Sequence, residues 1–284
     1  MALTPLGDRD VFSWFSGKPQ AWGPDGAGWR AWFAGNVVDG LCELLDEHMA
    51  VERVKGARWP AAIGCVPWLG SQEVADRLAQ MWSCIVVDKN EVGIVPDQLI
   101  NGRRRMPNTA LRLGRHRPDD FPDDEEDLVL SGEEPRYEYG VGPVRVYGWR
   151  QQQPPVTKPL LHTKLLVLGE IQRWVIDPGD APSFEETHFV PQQVWCGSAN
   201  WSNTSRLHLE LGLACSDEQL VYHATDFIRS LITDSEPVYT QAAGPEPSLV
   251  YIEEPGPTSD EIAQWEAYRA ESRADDSDLN DDDH

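Results

Sequence analysis

Apolar residues recur at helical spacing at Val37, Val38, Leu41, Leu44, Leu45 and Met49, which predicts a helix within residues 36–56. Residues 61–69, Ala-Ala-Ile-Gly-Cys-Val-Pro-Trp-Leu, are continuously apolar and read as a strand. Ser71 can cap a helix reaching about Trp82, with Val74, Leu78 and Met81 facing inward. Residues 84–88, Cys-Ile-Val-Val-Asp, read as the next strand. Strand, helix and strand at this spacing form a βαβ unit with parallel strands. Further strands are expected over residues 144–147, 160–168, 173–176, 193–196 and 207–215. A polar turn is expected after Leu168, and a proline-rich loop over residues 177–191. A helix is predicted over residues 218–231. Another is predicted over residues 258–270, where Thr258 and Glu261 stand at capping-box spacing.

These elements predict an α/β fold built on a mixed, largely parallel sheet flanked by helices. Residues 1–57 form a Trp-rich extension and helix, in which Trp14, Trp22, Trp29 and Trp32 read as an aromatic cap. Residues 58–240 form the main domain, with a charged surface insertion over residues 97–140, and residues 241–284 a linker, helix and disordered acidic tail. No internal repeat is visible.

The formal charge of −23 is unevenly distributed. Residues 119–127 carry seven acids and residues 275–283 six more, so thirteen of the excess negative charges lie in two short runs. The remainder is mildly acidic. That argues against a broad non-specific nucleic-acid surface without excluding a phosphate-bearing substrate. Residues 101–117 run the other way, with six arginines, His116 and no acid. This stretch is suited either to guiding a polyanion or to pairing with the acidic run that follows. The five cysteines are widely spaced, without a C-x-x-C pair, which predicts buried free thiols in a reducing, cytoplasmic setting. No apolar run is long enough to span a bilayer, and Met1–Asp8 lacks the pattern of a secretory leader.

The candidate chemistry interrupts residues 160–168, Leu-Leu-His-Thr-Lys-Leu-Leu-Val-Leu. On a strand, His162 and Lys164 share a face. An ammonium placed in so apolar a run is costly without a partner, so the pair marks a site. The same spacing recurs at Ser198 and Asn200 in Gly-Ser-Ala-Asn-Trp-Ser, and at His208 and Glu210. Neighbouring strands can therefore converge imidazole, ammonium, hydroxyl, amide and carboxylate groups on one pocket.

H-x-K followed by G-S-x-N-W-S and an acidic position resembles the phospholipase D superfamily, over roughly residues 60–235. Its signature, H-x-K-x4-D, places the aspartate at Gly169; Glu170 and Asp177 are the nearest carboxylates that could replace it. The resemblance implies a phosphodiesterase that needs no metal or other cofactor. His162 attacks phosphorus, Lys164 neutralises a non-bridging oxygen, Glu210 orients His162, and Ser198 and Asn200 hold the phosphate or Lys164. A second histidine serves as acid and then base. With one H-x-K in the chain, the resemblance implies a homodimer that completes the site by two-fold symmetry. DNA or RNA is the favoured substrate and phospholipid the second, without integral membrane association. Competing readings are a catalytically impaired binding or scaffold protein, a metal site using His162, His188, His208 and an acid, and a core histidine beside an edge lysine.

Overall fold

The computed structural model describes residues 20–22, 28–55, 57–90, 99, 111–113, 128–131, 143–150, 161–176, 184–238, 240–247 and 250–251. The predicted terminal helix, the acidic tail, most of the arginine-rich stretch and the acidic run of residues 119–127 fall outside these residues. The elements begin with β1 (Gln20–Trp22), β2 (Trp29–Phe33), α1 (Val37–Ala50), β3 (Arg58–Val66), β4 (Leu69–Gly70), α2 (Gln72–Leu78) and β5 (Trp82–Asp88). They continue with β6 (Leu111–Leu113), β7 (Leu128–Ser131), β8 (Val144–Tyr147), β9 (Leu165–Ile176) and β10 (Phe184–Gly197). Last come β11 (Trp201–Ser202), β12 (Leu211–Cys215), α3 (Glu218–Thr233), β13 (Glu236–Pro237) and β14 (Val250–Tyr251).

The main sheet runs β1-β2-β12-β10-β9-β3-β5-β8-β13, with β6, β7 and β14 attached beside β10. Strands β3, β5 and β8 are parallel, as the βαβ pattern requires. The sheet is mixed, but its parallel part is smaller than the sequence suggests: β1, β2, β12, β10, β9 and β3 pair antiparallel in turn. The cause is one long hairpin. Residues 165–176 form a single strand where a polar turn after Leu168 was expected, and residues 184–191 of the expected loop extend β10. The polar residues within β9 are held by partners: His48 Nε2 lies 2.9 Å from Gly169 O, and Arg53 pairs with Glu170 at 3.0 Å.

Alternation along the central strands sorts side chains onto two helical layers. Ala62, Val66, Ile85, Val87, Leu166 and Leu168 meet α1 and α2, whereas Ala61, Ile63, Cys65, Cys84, Val86 and Val167 meet α3. Both faces are covered, which explains the unbroken apolar runs. Ser71 caps α2 by accepting from Val74 N, and Asp217 caps α3 by accepting from Leu220 N at 2.9 Å. All five cysteines are free; four are buried and Cys196 is half-buried. Among the described residues, no helix is long and apolar enough to cross a membrane.

Candidate active site

The candidate residues collect at one end of the sheet, where β9 and β12 begin and β3, β5 and β10 end. Leu165 pairs with Cys65 on one side and Cys196 on the other. One step beyond, Gly197 N donates to Lys164 O at 3.2 Å, and Ser198 N donates to Leu211 O at 2.9 Å. The chain before Lys164 and the chain after Gly197 thus emerge side by side, with the start of β12 next to them.

His162 and Lys164 lie just before β9 rather than inside it, because regular pairing starts at Leu165. They nevertheless meet. Lys164 Nζ donates to His162 O at 2.8 Å and stands 3.2 Å from each ring nitrogen. Lys164 is only 5% exposed, whereas the His162 ring is open to solvent. Burial pulls the Lys164 ammonium below the usual lysine range, and the negative charge of Glu210 opposes that shift. A cation held in this way is suited to an anionic oxygen, and an exposed imidazole against it is suited to the atom bearing that oxygen.

Glu210 is half-buried and takes its hydrogen bond from Ser198 Oγ, while Ser198 Oγ in turn accepts from Leu211 N at 3.0 Å. The bond from His162 to Glu210 that the resemblance implies is therefore replaced by a Ser198–Glu210 bond. The carboxylate reaches the His-Lys pair through its charge on Lys164. Asn200 is half-buried, and its Oδ1 is enclosed without a hydrogen-bond partner among the described residues. Its segment is anchored on either side by fully buried Ala199 and Trp201. Trp201 stacks edge-on to Trp195 at 6.2 Å and pairs with Leu69.

His208 does not join Glu210 on a strand. Residues 203–207 form a 3-10 turn, and β12 starts only at Leu211. The alternation of Leu207, Leu209 and Leu211 suggested a strand, but Leu207 and Leu209 are 72% and 62% exposed. The turn is fixed instead by Arg206, which bonds Asp39 and Asn203 and pairs with Glu73. His188 sits opposite Gln172, eight residues along β9 from Lys164, or about 26 Å at the strand rise. That separates two of the three histidines of the metal reading.

The signature position is occupied by a glycine for a steric reason. Pro191 cannot donate to the ladder, and β10 bulges between Pro191 and Gln193, opposite Gly169. A Cβ on Gly169 would lie 2.3 Å from Val190 O and 2.9 Å from Pro191 Cα. Glu170 is no substitute within the site. It is buried against Arg53 and 3.7 Å from Arg58, six residues or about 20 Å along β9 from Lys164. Asp177 lies outside the described residues.

Sequence reasoning overlooked Asp88, the last residue of β5. Its Oδ2 accepts from Leu161 N at 3.2 Å, immediately before His162, and its Oδ1 accepts from Asn90 N and Asn90 Nδ2, each at 2.9 Å. The available signal was a carboxylate closing an otherwise apolar strand.

No family model matches the chain, and no curated protein matches it. Among solved structures it is similar to NucT from Helicobacter pylori, with a TM-score of 0.42 and 11% identity, covering 74% of this chain and 98% of that one.

Proposed function

We propose that the chain hydrolyses phosphodiester bonds by phospholipase D-type chemistry, with nucleic acid the favoured substrate. The observation that carries this reading is the buried Lys164 ammonium against the exposed His162 ring, beside Ser198 and Glu210. In the first step a His162 ring nitrogen attacks phosphorus; the P–N bond forms and the bond to the leaving oxygen breaks. Lys164 offsets the negative charge on the non-bridging oxygens. The partner subunit's His162 protonates the leaving oxygen, then takes a proton from water as that water attacks phosphorus and the P–N bond breaks. Ser198, with its proton engaged by Glu210, shapes the phosphate pocket, and the Asn200 side-chain amide donates to the phosphate. The second histidine makes a two-fold dimer part of the proposal.

The test is one panel of single- and double-stranded DNA, RNA, phosphatidylcholine and an aryl phosphodiester, assayed with chelator present and with His162→Ala as control. Chelator-resistant hydrolysis that is lost in His162→Ala is expected, fastest on nucleic acid. Preference for phosphatidylcholine would make the chain a phospholipid hydrolase. Binding without turnover on every arm would leave it a catalytically impaired binding protein and overturn the proposal. Dimerisation is tested by mixing wild type with His162→Ala chains. A site built from both histidines leaves about a quarter of the activity at equal fractions, and independent monomers leave about half.

A further inference from the structure

We infer that Asp88 is a positioning residue that sets the placement of His162, acting through the backbone of Leu161. This deepens the phosphodiesterase reading and rests on it for its kinetic consequence. Asp88 is 4% exposed and ends the middle strand of the parallel group. A carboxylate there is costly unless its oxygens are satisfied, and both are. Oδ1 takes both Asn90 donors, and Asn90 Nδ2 also donates to Trp149 O at 2.7 Å. Oδ2 takes the Leu161 N–H.

The geometry around this carboxylate is laced to all three parallel strand ends. Asp88 N donates to Pro67 O at 3.3 Å, just past β3, and Lys89 N donates to Tyr147 O at 3.0 Å, at the end of β8. Gly148 follows with a φ of +106°, and a Cβ there would come within 3.7 Å of Asp88 Oδ2. Residues 161–164 have no regular strand pairing of their own. His162 lies between two anchors: the Asp88 bond to Leu161 N on one side, and the Gly197 bond to Lys164 O on the other. The Asp88 bond fixes where the imidazole emerges relative to the ammonium two residues on.

The decisive substitution is Asp88→Asn. It keeps size and the Oδ1 acceptor, but an amide in place of Oδ2 sets donor against donor at Leu161 N. A displacement on the order of 1 Å in a reacting group costs about a hundredfold in rate. Asp88→Asn is therefore expected to lower kcat by about that factor on an aryl phosphodiester while KM stays unchanged. Asp217→Ala, which removes the α3 cap at a distance from the site, supplies a destabilised control with wild-type kcat. A readout independent of turnover is the imidazole NMR signal of His162, identified by its loss in His162→Ala. It moves in Asp88→Asn and stays in place in Asp217→Ala. A wild-type signal and wild-type kcat in Asp88→Asn would overturn the inference. If the wild-type chain hydrolyses no diester, the functional reading falls, and the His162 signal alone decides the positioning role. Should Asp88→Asn fail to fold, Asn90→Ala removes the Nδ2 donor from Oδ1, leaves the backbone N–H bond of position 90 and keeps the charge. It must then give a smaller kcat loss and a smaller movement of the same signal, and an unmoved signal would again overturn the inference.

Discussion

Replacing Gly169 by aspartate rebuilds the phospholipase D signature in sequence, and the structure predicts that stability falls while activity gains nothing. Position 169 faces chiefly the backbone of the opposing strand: a Cβ meets Val190 O at 2.3 Å and Pro191 Cα at 2.9 Å, with the Phe189 ring next at 3.0 Å. Ordinary contact begins at 3.4 Å, so β9 and β10 must part by about 1 Å at the bulge. Overpacking of this kind costs about 1–3 kcal/mol, and the backbone partners put Gly169→Ala at the upper end. Gly169→Asp adds a carboxylate to a buried position, at a further several kcal/mol unless it finds a partner or takes up a proton. Against a total stability on the order of 5–15 kcal/mol, the aspartate variant approaches unfolding. Urea unfolding at neutral pH orders the three proteins as wild type, then Gly169→Ala, then Gly169→Asp, with the diesterase rate of the folded fraction no higher in either variant. Gly169→Ala as stable as wild type, or Gly169→Asp more active at full stability, would refute the steric argument.

Other expectations concern the remaining polar groups. Burial and the neighbouring Arg53 hold the His48 imidazole down at about 4, from an ordinary 6.5. Between those values the unfolded chain binds a proton that the folded chain refuses. Stability is therefore lost as pH falls through that window, by on the order of 3 kcal/mol in full. His48→Gln should flatten the pH dependence of urea unfolding between pH 7 and 4, and an unchanged slope would contradict the assignment. Lys164→Met should lower kcat by about 10²–10³-fold. It should also hold or raise Tm, because it removes a desolvated charge; a lower Tm with normal kcat would make the lysine structural. Asp217→Ala should cost about 1 kcal/mol through the lost α3 cap, read by thermal unfolding.

The parts of the fold that were legible in the sequence are those where local pattern and tertiary demand coincide. The βαβ unit, with Ser71 and its apolar flanks, and helix α3 are of this kind, because each buries a face whose period shows directly in the residues. Strand β9 departs from the sequence pattern at its start and in its middle. Gly169-Glu170 looks like a turn until His48, Arg53 and Arg58, from α1 and the chain after it, are seen to satisfy it. No local rule reveals partners more than a hundred residues away. The alternation from Leu207 to Leu211 misled for the converse reason, since ion pairs from Arg206 to Asp39 and Glu73 outweigh a β pattern with no neighbouring strand to receive it. The grouping of His162 with Lys164 and of Ser198 with Glu210 was legible because polar side chains stand out in apolar surroundings. Asp88 was not, because a carboxylate at a strand end is ordinary until its acceptor role toward Leu161 is seen.

The hairpin of β9 and β10 separates what is joined in sequence from what is joined in space. Its two strands pair from Leu165 opposite Cys196 to Ile176 opposite Phe184. Severing the chain between Ile176 and Phe184 would thus yield an N-terminal fragment bearing His162 and Lys164 and a C-terminal fragment bearing Ser198 and Glu210. Neither fragment holds the whole constellation, and a twelve-residue ladder is available to zip them together. The molecule is in that sense pre-divided for complementation: two pieces whose reunion is read by co-purification and, on the proposed function, by diesterase turnover that neither shows alone.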